Sequence, residues 1–156
     1  MVALSIKQRK PFVSDQQELY VSIVRTASEL SRSTERFLRA YGTTQIQYNV
    51  LRILQGSGPE GLGRNEIAER MITAAPDMTR LLDRMERDGL VVRTKDREDK
   101  RQVATTITPT GKRLLSSVEG PLMKLHSEQL AALSISDVRK AVELLGAARD
   151  GNLRAL

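Results

Sequence analysis

Apolar and polar residues change their spacing along the chain, and the changes mark out its elements. From about Asp15, Leu19, Ile23, Ala27, Leu30, Thr34, Phe37 or Leu38, and Tyr41 recur at three- and four-residue steps. Glu18, Arg25, Glu29, Arg32, Arg36 and Arg39 take the other face. This period predicts one long amphipathic helix that stops near Gly42. A second helix is expected from the Thr43-Thr44 pair, because Thr44 and Gln47 have capping-box spacing and Tyr48, Val50, Leu51, Ile53 and Leu54 follow. The glycine-rich run 56–61 breaks it. A short third helix is predicted over residues 65–71, then a tight turn over 72–75. The fourth helix is expected to take Pro76 into its first turn, to face Met78, Leu81, Leu82 and Met85 inward, and to close at Gly89. Ala68 is small enough to let the third and fourth helices approach closely.

The period then shortens to two. Residues 90–95 are β-prone, and Val103, Thr105 and Ile107 alternate within 102–108. Between them lies a charged tip, residues 96–101, so a two-stranded hairpin with a hydrophilic loop is predicted. Thr108-Pro109 reads as a helix start, and Leu114, Leu115, Val118, Leu122 and Leu125 continue that helix past a potential kink at Gly120-Pro121. Ser134 and Asp137 cap a sixth helix carrying Val138, Leu144, Leu145 and Ala148 on one face. The fold class is mainly α with a small β-hairpin wing, a winged helix-turn-helix over residues 43–108. Residues 1–14 form a basic arm, with Lys7, Arg9 and Lys10.

Composition narrows the function. Aromatic residues are 3% of the chain and Trp is absent, so the core must be aliphatic and stacking on unpaired bases is disfavoured. A formal charge of +6 favours polyanions. There is no Cys and one His, His126, which excludes disulfides, thiolate zinc sites and multi-histidine metal sites. No cofactor is expected. No secretory signal or membrane-spanning run is read, and a cytoplasmic location is expected by default. No motif supports a nucleophile–base pair or a phosphate-cradling loop, so an enzyme is not expected.

A short helix, a tight turn, a helix and a hairpin with a basic tip form an order suited to duplex DNA, whose major groove admits a helix. The stretch IAERMITAAPDMTRLLDRMERDGLVVR from Ile67 to Arg93 resembles the signature of the multiple antibiotic resistance regulator (MarR) family. So do KDREDKRQVATTITPTGKRLL in the wing and TTQIQYNVLRIL in the second helix. The resemblance runs from about Asp15 to the C-terminus. It implies a homodimer whose terminal helices, 15–42 and 109–156, interlock as a dimerisation region intertwined with the DNA-binding region. It also implies a repressor of double-stranded DNA acting on a pseudo-palindromic operator, with a small aromatic or phenolic effector. The chain departs from the family in the turn, where Ile72 replaces Gly and Ala74 replaces Ser or Thr. The helix cap is thereby left to Thr73 or to Asp77.

The residues expected at DNA are Arg64, Asn65, Ala74, Pro76, Asp77, Thr79, Arg80 and Arg84, with Arg97, Lys100 and Arg101 in the wing. Each has a plainer alternative. Thr79 and Arg80 match the family's recognition helix, or else form a solvated face. Asp77 is as readily a cap, Arg84 a partner of Asp83 or Asp88, and Arg64 and Asn65 a surface cap. By resemblance Asp99 orients Arg101. Tyr20, Tyr41, Tyr48 and His126 are candidates for an effector pocket; core packing is the alternative for the tyrosines, and a core or interface position for the histidine. A winged-helix module that binds protein instead of DNA is the competing functional class.

Overall fold

The computed structural model describes residues 12–95 and 103–155, with side-chain surroundings given except at 95 and 153–155. Helix α1 is Asp15–Ala40, α2 Gln45–Gln55, α3 Arg64–Arg70, α4 Met78–Arg87, α5 Pro109–Gln129 and α6 Ile135–Ala155. The strands are β1 Leu62–Gly63, β2 Val91–Lys95 and β3 Val103–Ile107. The chain divides into two compact units, one reaching Leu122 and the other starting at Met123. The break falls just after Gly120-Pro121, and α5 runs through both residues as helix.

Local chemistry explains the ends of the helices. Ser14 caps α1 by accepting from the Gln17 N–H, and the Thr44–Gln47 capping box opens α2 as its spacing predicts. The Thr108 hydroxyl accepts from the Gly111 N–H at 3.0 Å and donates to the Gly89 carbonyl at 2.6 Å, fastening the start of α5 to the end of α4. Ser134 and Asp137 exchange backbone-to-side-chain bonds at 3.2 Å and open α6. At the end of α4, Gly89 has φ +70. Its N–H reaches the Glu86 carbonyl while the Leu90 N–H reaches that of Met85, both at 2.9 Å. This left-handed close is cheap only for glycine.

The sheet corrects one expectation. It has three strands in the order β1-β3-β2, all antiparallel, not two. Leu62 pairs with Thr105 and Gly63 with Ala104, while Val91, Arg93 and Lys95 oppose Ile107, Thr105 and Val103. A strand of two residues is too short to show a period. Its backbone comes so close to β3 that a Cβ on Gly61 would lie 2.4 Å from the Thr105 carbonyl oxygen.

The core of the first unit gathers Val50, Leu51 and Leu54 from α2, Leu62, Ile67 from α3, Met78, Leu81, Leu82 and Met85 from α4, Leu90, Val91, and Leu115 from α5. All are buried and none is aromatic, as the composition requires. Each such side chain contributes about 1.5–3 kcal/mol by leaving water. Ala68, expected between α3 and α4, is exposed; Ile67 makes that contact instead. In α1 only Thr34 and Leu38 of the expected inner face are buried. Leu19, Tyr20 and Val24 remain more than half exposed.

Candidate nucleic-acid interface

The turn between α3 and α4 is pinned by a residue from another helix. Asn49 Oδ1, on α2, accepts from the Ile72 N–H at 2.9 Å. The chain then passes through Ala74, Ala75 and Pro76 to Asp77, whose side chain accepts from the Arg80 N–H at 2.9 Å. The choice between Thr73 and Asp77 is thus resolved for Asp77: its carboxylate satisfies an orphan N–H and its charge suits the positive end of the helix. Helix α4 begins at Met78, so Pro76 precedes it in a turn and does not occupy its first helical position.

The sequence of α4 sorts cleanly around its axis. Met78, Leu81, Leu82 and Met85 are buried, while Thr79, Arg80, Asp83, Arg84 and Arg87 are exposed. Arg80, Arg84 and Arg87 stand four and three residues apart and share the outer face. Arg80 is 85% exposed and pairs with Asp77 at 3.2 Å. Arg84 has neither Asp83 nor Asp88 as an ion-pair partner among the described residues, because Asp83 is bound by Arg93 at 2.6 Å. Ala74 and Pro76 are exposed in the approach to α4. Arg64 and Asn65 are exposed at the start of α3, and Arg64 Nη1 donates to Thr79 Oγ1 across the helix pair at 3.1 Å. Arg97, Asp99, Lys100 and Arg101 lie outside the described residues.

Arg93 was not expected. It leaves β2 to bond Glu86 on α4 from Nε at 2.9 Å and from Nη2 at 2.7 Å, and its own N–H donates to Glu86 Oε1 at 2.8 Å. Hydrogen bonds from the Arg93 side chain, then from its backbone, hold the Glu86 carboxyl below the usual carboxylate range. The wing strand is therefore tied to α4 by Glu86 and Asp83. An alternating strand pattern marks Arg93 only as one polar position. The acids that claim it are seven and ten residues earlier, on an element of different period.

The structure gives each effector-pocket candidate its own local surroundings. Tyr20 is exposed on α1, and Tyr41 stacks on Phe37 with ring centroids 5.0 Å apart. Tyr48 packs against the core, where burial pushes its phenol upward. His126 is exposed in the second unit, with Nδ1 3.0 Å from Gln129 Oε1. A groove of about 990 Å³ opens elsewhere, between α1, the start of α2 and α4. Its walls include Arg32, Ile46, Pro76, Leu81, Arg84 and Arg87, and none of the three tyrosines. Among the described residues, Arg32, Arg84 and Arg87 form no ion pair. No described helix is long and apolar enough to cross a membrane.

A braced helix with a buried apolar face and an exposed basic face, followed by a β wing, defines a winged helix-turn-helix DNA-binding protein. The MarR family model matches residues 43–103. A MarR transcription factor from Planctomyces limnophilus is 34% identical, with 88% of this chain and 99% of that one aligned and a TM-score of 0.68. The HTH-type transcriptional regulator YkoM of Bacillus subtilis is 28% identical over 118 residues, 76% of this chain and 74% of that protein. The MepR–DNA complex of S. aureus shares the fold at 24% identity and a TM-score of 0.71, covering 88% of this chain and 98% of that one. The chain belongs to the MarR family and is a DNA-binding transcription regulator, not an enzyme.

Proposed function

We propose that the protein is a ligand-responsive repressor that acts as a homodimer on a pseudo-palindromic operator. The observation that carries the reading is the outer face of α4, where Thr79, Arg80, Arg84 and Arg87 stand exposed over a buried apolar face. In this reading α4 enters the major groove, with Thr79 and Arg80 at base edges and Arg84 at the backbone. Asn65 meets phosphate beside the groove, while Arg97, Lys100 and Arg101 reach the flanking DNA. Asp77 acts through the cap it forms, and Ala74 and Pro76 set how closely the turn approaches.

Dimerisation is supported by apolar side chains left bare in each unit. Leu19, Tyr20 and Val24 are exposed on α1, and Met123, Ile135, Val142 and Leu144 on the second unit. Patches of this kind on a small protein mark interfaces. A second copy would place two α4 helices about 34–36 Å apart, one turn of DNA. The effector is a small aromatic molecule, and the groove beside α4 suits it better than the tyrosines do. Ile46, Pro76 and Leu81 offer apolar contact there, and Arg32, Arg84 and Arg87 favour an acidic or phenolic group. A ligand with different affinity for two arrangements of α4 would shift operator binding.

Selection of bound duplexes from a randomised pool tests the whole reading. The expected product is two inverted half-sites centred about 10–10.5 base pairs apart. Affinity should fall steeply with salt, by about 0.9 in log–log slope for each phosphate engaged. Recovery of no common sequence, with binding indifferent to salt, would refute it in favour of a protein-binding winged helix.

A further inference from the structure

Arg64 and Thr79 lie on different helices, yet one bonds the other. Arg64 Nη1 donates to Thr79 Oγ1 at 3.1 Å, and Nη2 of the same guanidinium is 3.5 Å from Asn65 Oδ1. A threonine hydroxyl has one hydrogen to give and two lone pairs to receive, whereas arginine only donates. Threonines inside helices commonly give that hydrogen to a carbonyl one turn back. Thr79 stands in the first turn of α4, and among the described residues Arg64 is the partner of its hydroxyl. The bond therefore fixes the sense of the hydroxyl. A lone pair faces Arg64 and the hydrogen points away from the cation. A further N–H approaching the other lone pair would bring its positive end toward the guanidinium, which opposes it.

We propose that Arg64 is a specificity-setting residue, which holds Thr79 as a hydrogen-bond donor and sets its own N–H groups beside it, so that the base facing this pair of donors is read as guanine. Guanine alone offers two neighbouring acceptors, N7 and O6, and no donor on its major-groove edge. Adenine and cytosine place an amino group there, and thymine sets a methyl beside its single acceptor. The remaining N–H groups of Arg64 extend the same donor-only edge. This assignment rests on the reading of α4 as the base-contacting helix, and it gives Arg64 a different task from a phosphate grip.

The test uses the full chain and a randomised duplex pool, followed by titration of single duplexes. Wild-type protein should select guanine at one position of each half-site. Replacing that guanine by 7-deazaguanine, which lacks the N7 acceptor, should weaken binding by about two- to tenfold, the worth of one hydrogen bond. Thr79→Val should flatten that position. Arg64→Ala should also flatten it and admit bases that carry an amino group, whereas Arg64→Lys, which keeps a donor, should retain guanine. Both side chains are exposed, and matched circular dichroism would show that the variants fold. If Arg64→Ala weakens all duplexes equally, lowers the salt slope and leaves guanine selected, Arg64 is a phosphate contact and the proposal falls, while the base-contacting role of Thr79 survives. If Thr79→Val changes no position, that role fails and the proposal fails with it.

Discussion

Replacing Arg93 with Met should uncouple the wing from α4 at a cost of about 1–2 kcal/mol. The substitution keeps an unbranched apolar stem and removes the charged head. It deletes the bonds to Glu86 at 2.7 and 2.9 Å and the ion pair with Asp83 at 2.6 Å, while the backbone N–H still bonds Glu86. A charge-assisted bond contributes about 1.5–3 kcal/mol when sheltered, and an exposed pair only about 0.2–1 kcal/mol. The Arg93, Glu86 and Asp83 side chains are 27%, 35% and 48% exposed, so solvent screening puts the cluster between those limits. Urea denaturation at one fixed protein concentration measures the loss. A cycle with Glu86→Gln should return a coupling of about 1 kcal/mol. Acid gives an independent check. The carboxyl of Glu86 sits below its ordinary value of about 4.5. Its contribution is therefore complete above that pH and disappears as pH falls through the lowered folded value. The gap between wild type and variant should be full at neutrality and narrow in acid. A coupling under about 0.3 kcal/mol, or a gap that ignores pH, would refute the account.

Three further outcomes are expected. Thr43 is 2% exposed and its hydroxyl has no partner among the described residues, so Thr43→Val should raise stability by about 1 kcal/mol in the same denaturation assay. Asp77→Ala removes the α4 cap; it should lower stability by about 1 kcal/mol and blunt selection among duplexes in binding titrations. Val24→Glu puts a charge on the bare stripe of α1, and sedimentation should show the proposed dimer dissociating while helix content is kept.

Most of the fold was legible because period and punctuation agree. The steps through Met78, Leu81, Leu82 and Met85, closed by Gly89, place α4 without any tertiary information. Capping at Thr44 and Ser134 was readable because a cap is a contact three residues long. Features that join distant segments were not readable. β1 is two residues, below the length at which alternation exists, and it is a strand only because β3 lies beside it. Asn49, Arg93 and Glu86 are ordinary polar positions until folding brings α2 to the turn and β2 to α4. Of the tyrosines, Tyr48 takes the core position that was the plainer alternative, while Tyr20 is exposed on α1 and Tyr41 contacts Phe37, surroundings that no spacing in the sequence distinguishes.

The α4 helix is anchored in two unequal ways, and the difference bears on regulation. Its inner face is fixed by burial, which moves with the core of the lobe and tolerates little sliding. Its N-terminal approach and its acidic side are held by polar tethers: Asn49 at the preceding turn, Asp77 at the cap, and Arg93 from the wing. Such tethers are each worth about 1 kcal/mol, the same size as the coupling free energy of a typical small-molecule effector, about 1–3 kcal/mol. The groove beside α4 is lined by Asp77, Arg80 and Asp83, members of two of those tethers. A ligand that draws Arg80 or Asp83 into its own contacts would compete with the bonds that aim the helix, without disturbing Leu82 or Met85 beneath. In the proposed reading, control of DNA binding needs no repacking of the core, only a change of partners at its polar rim.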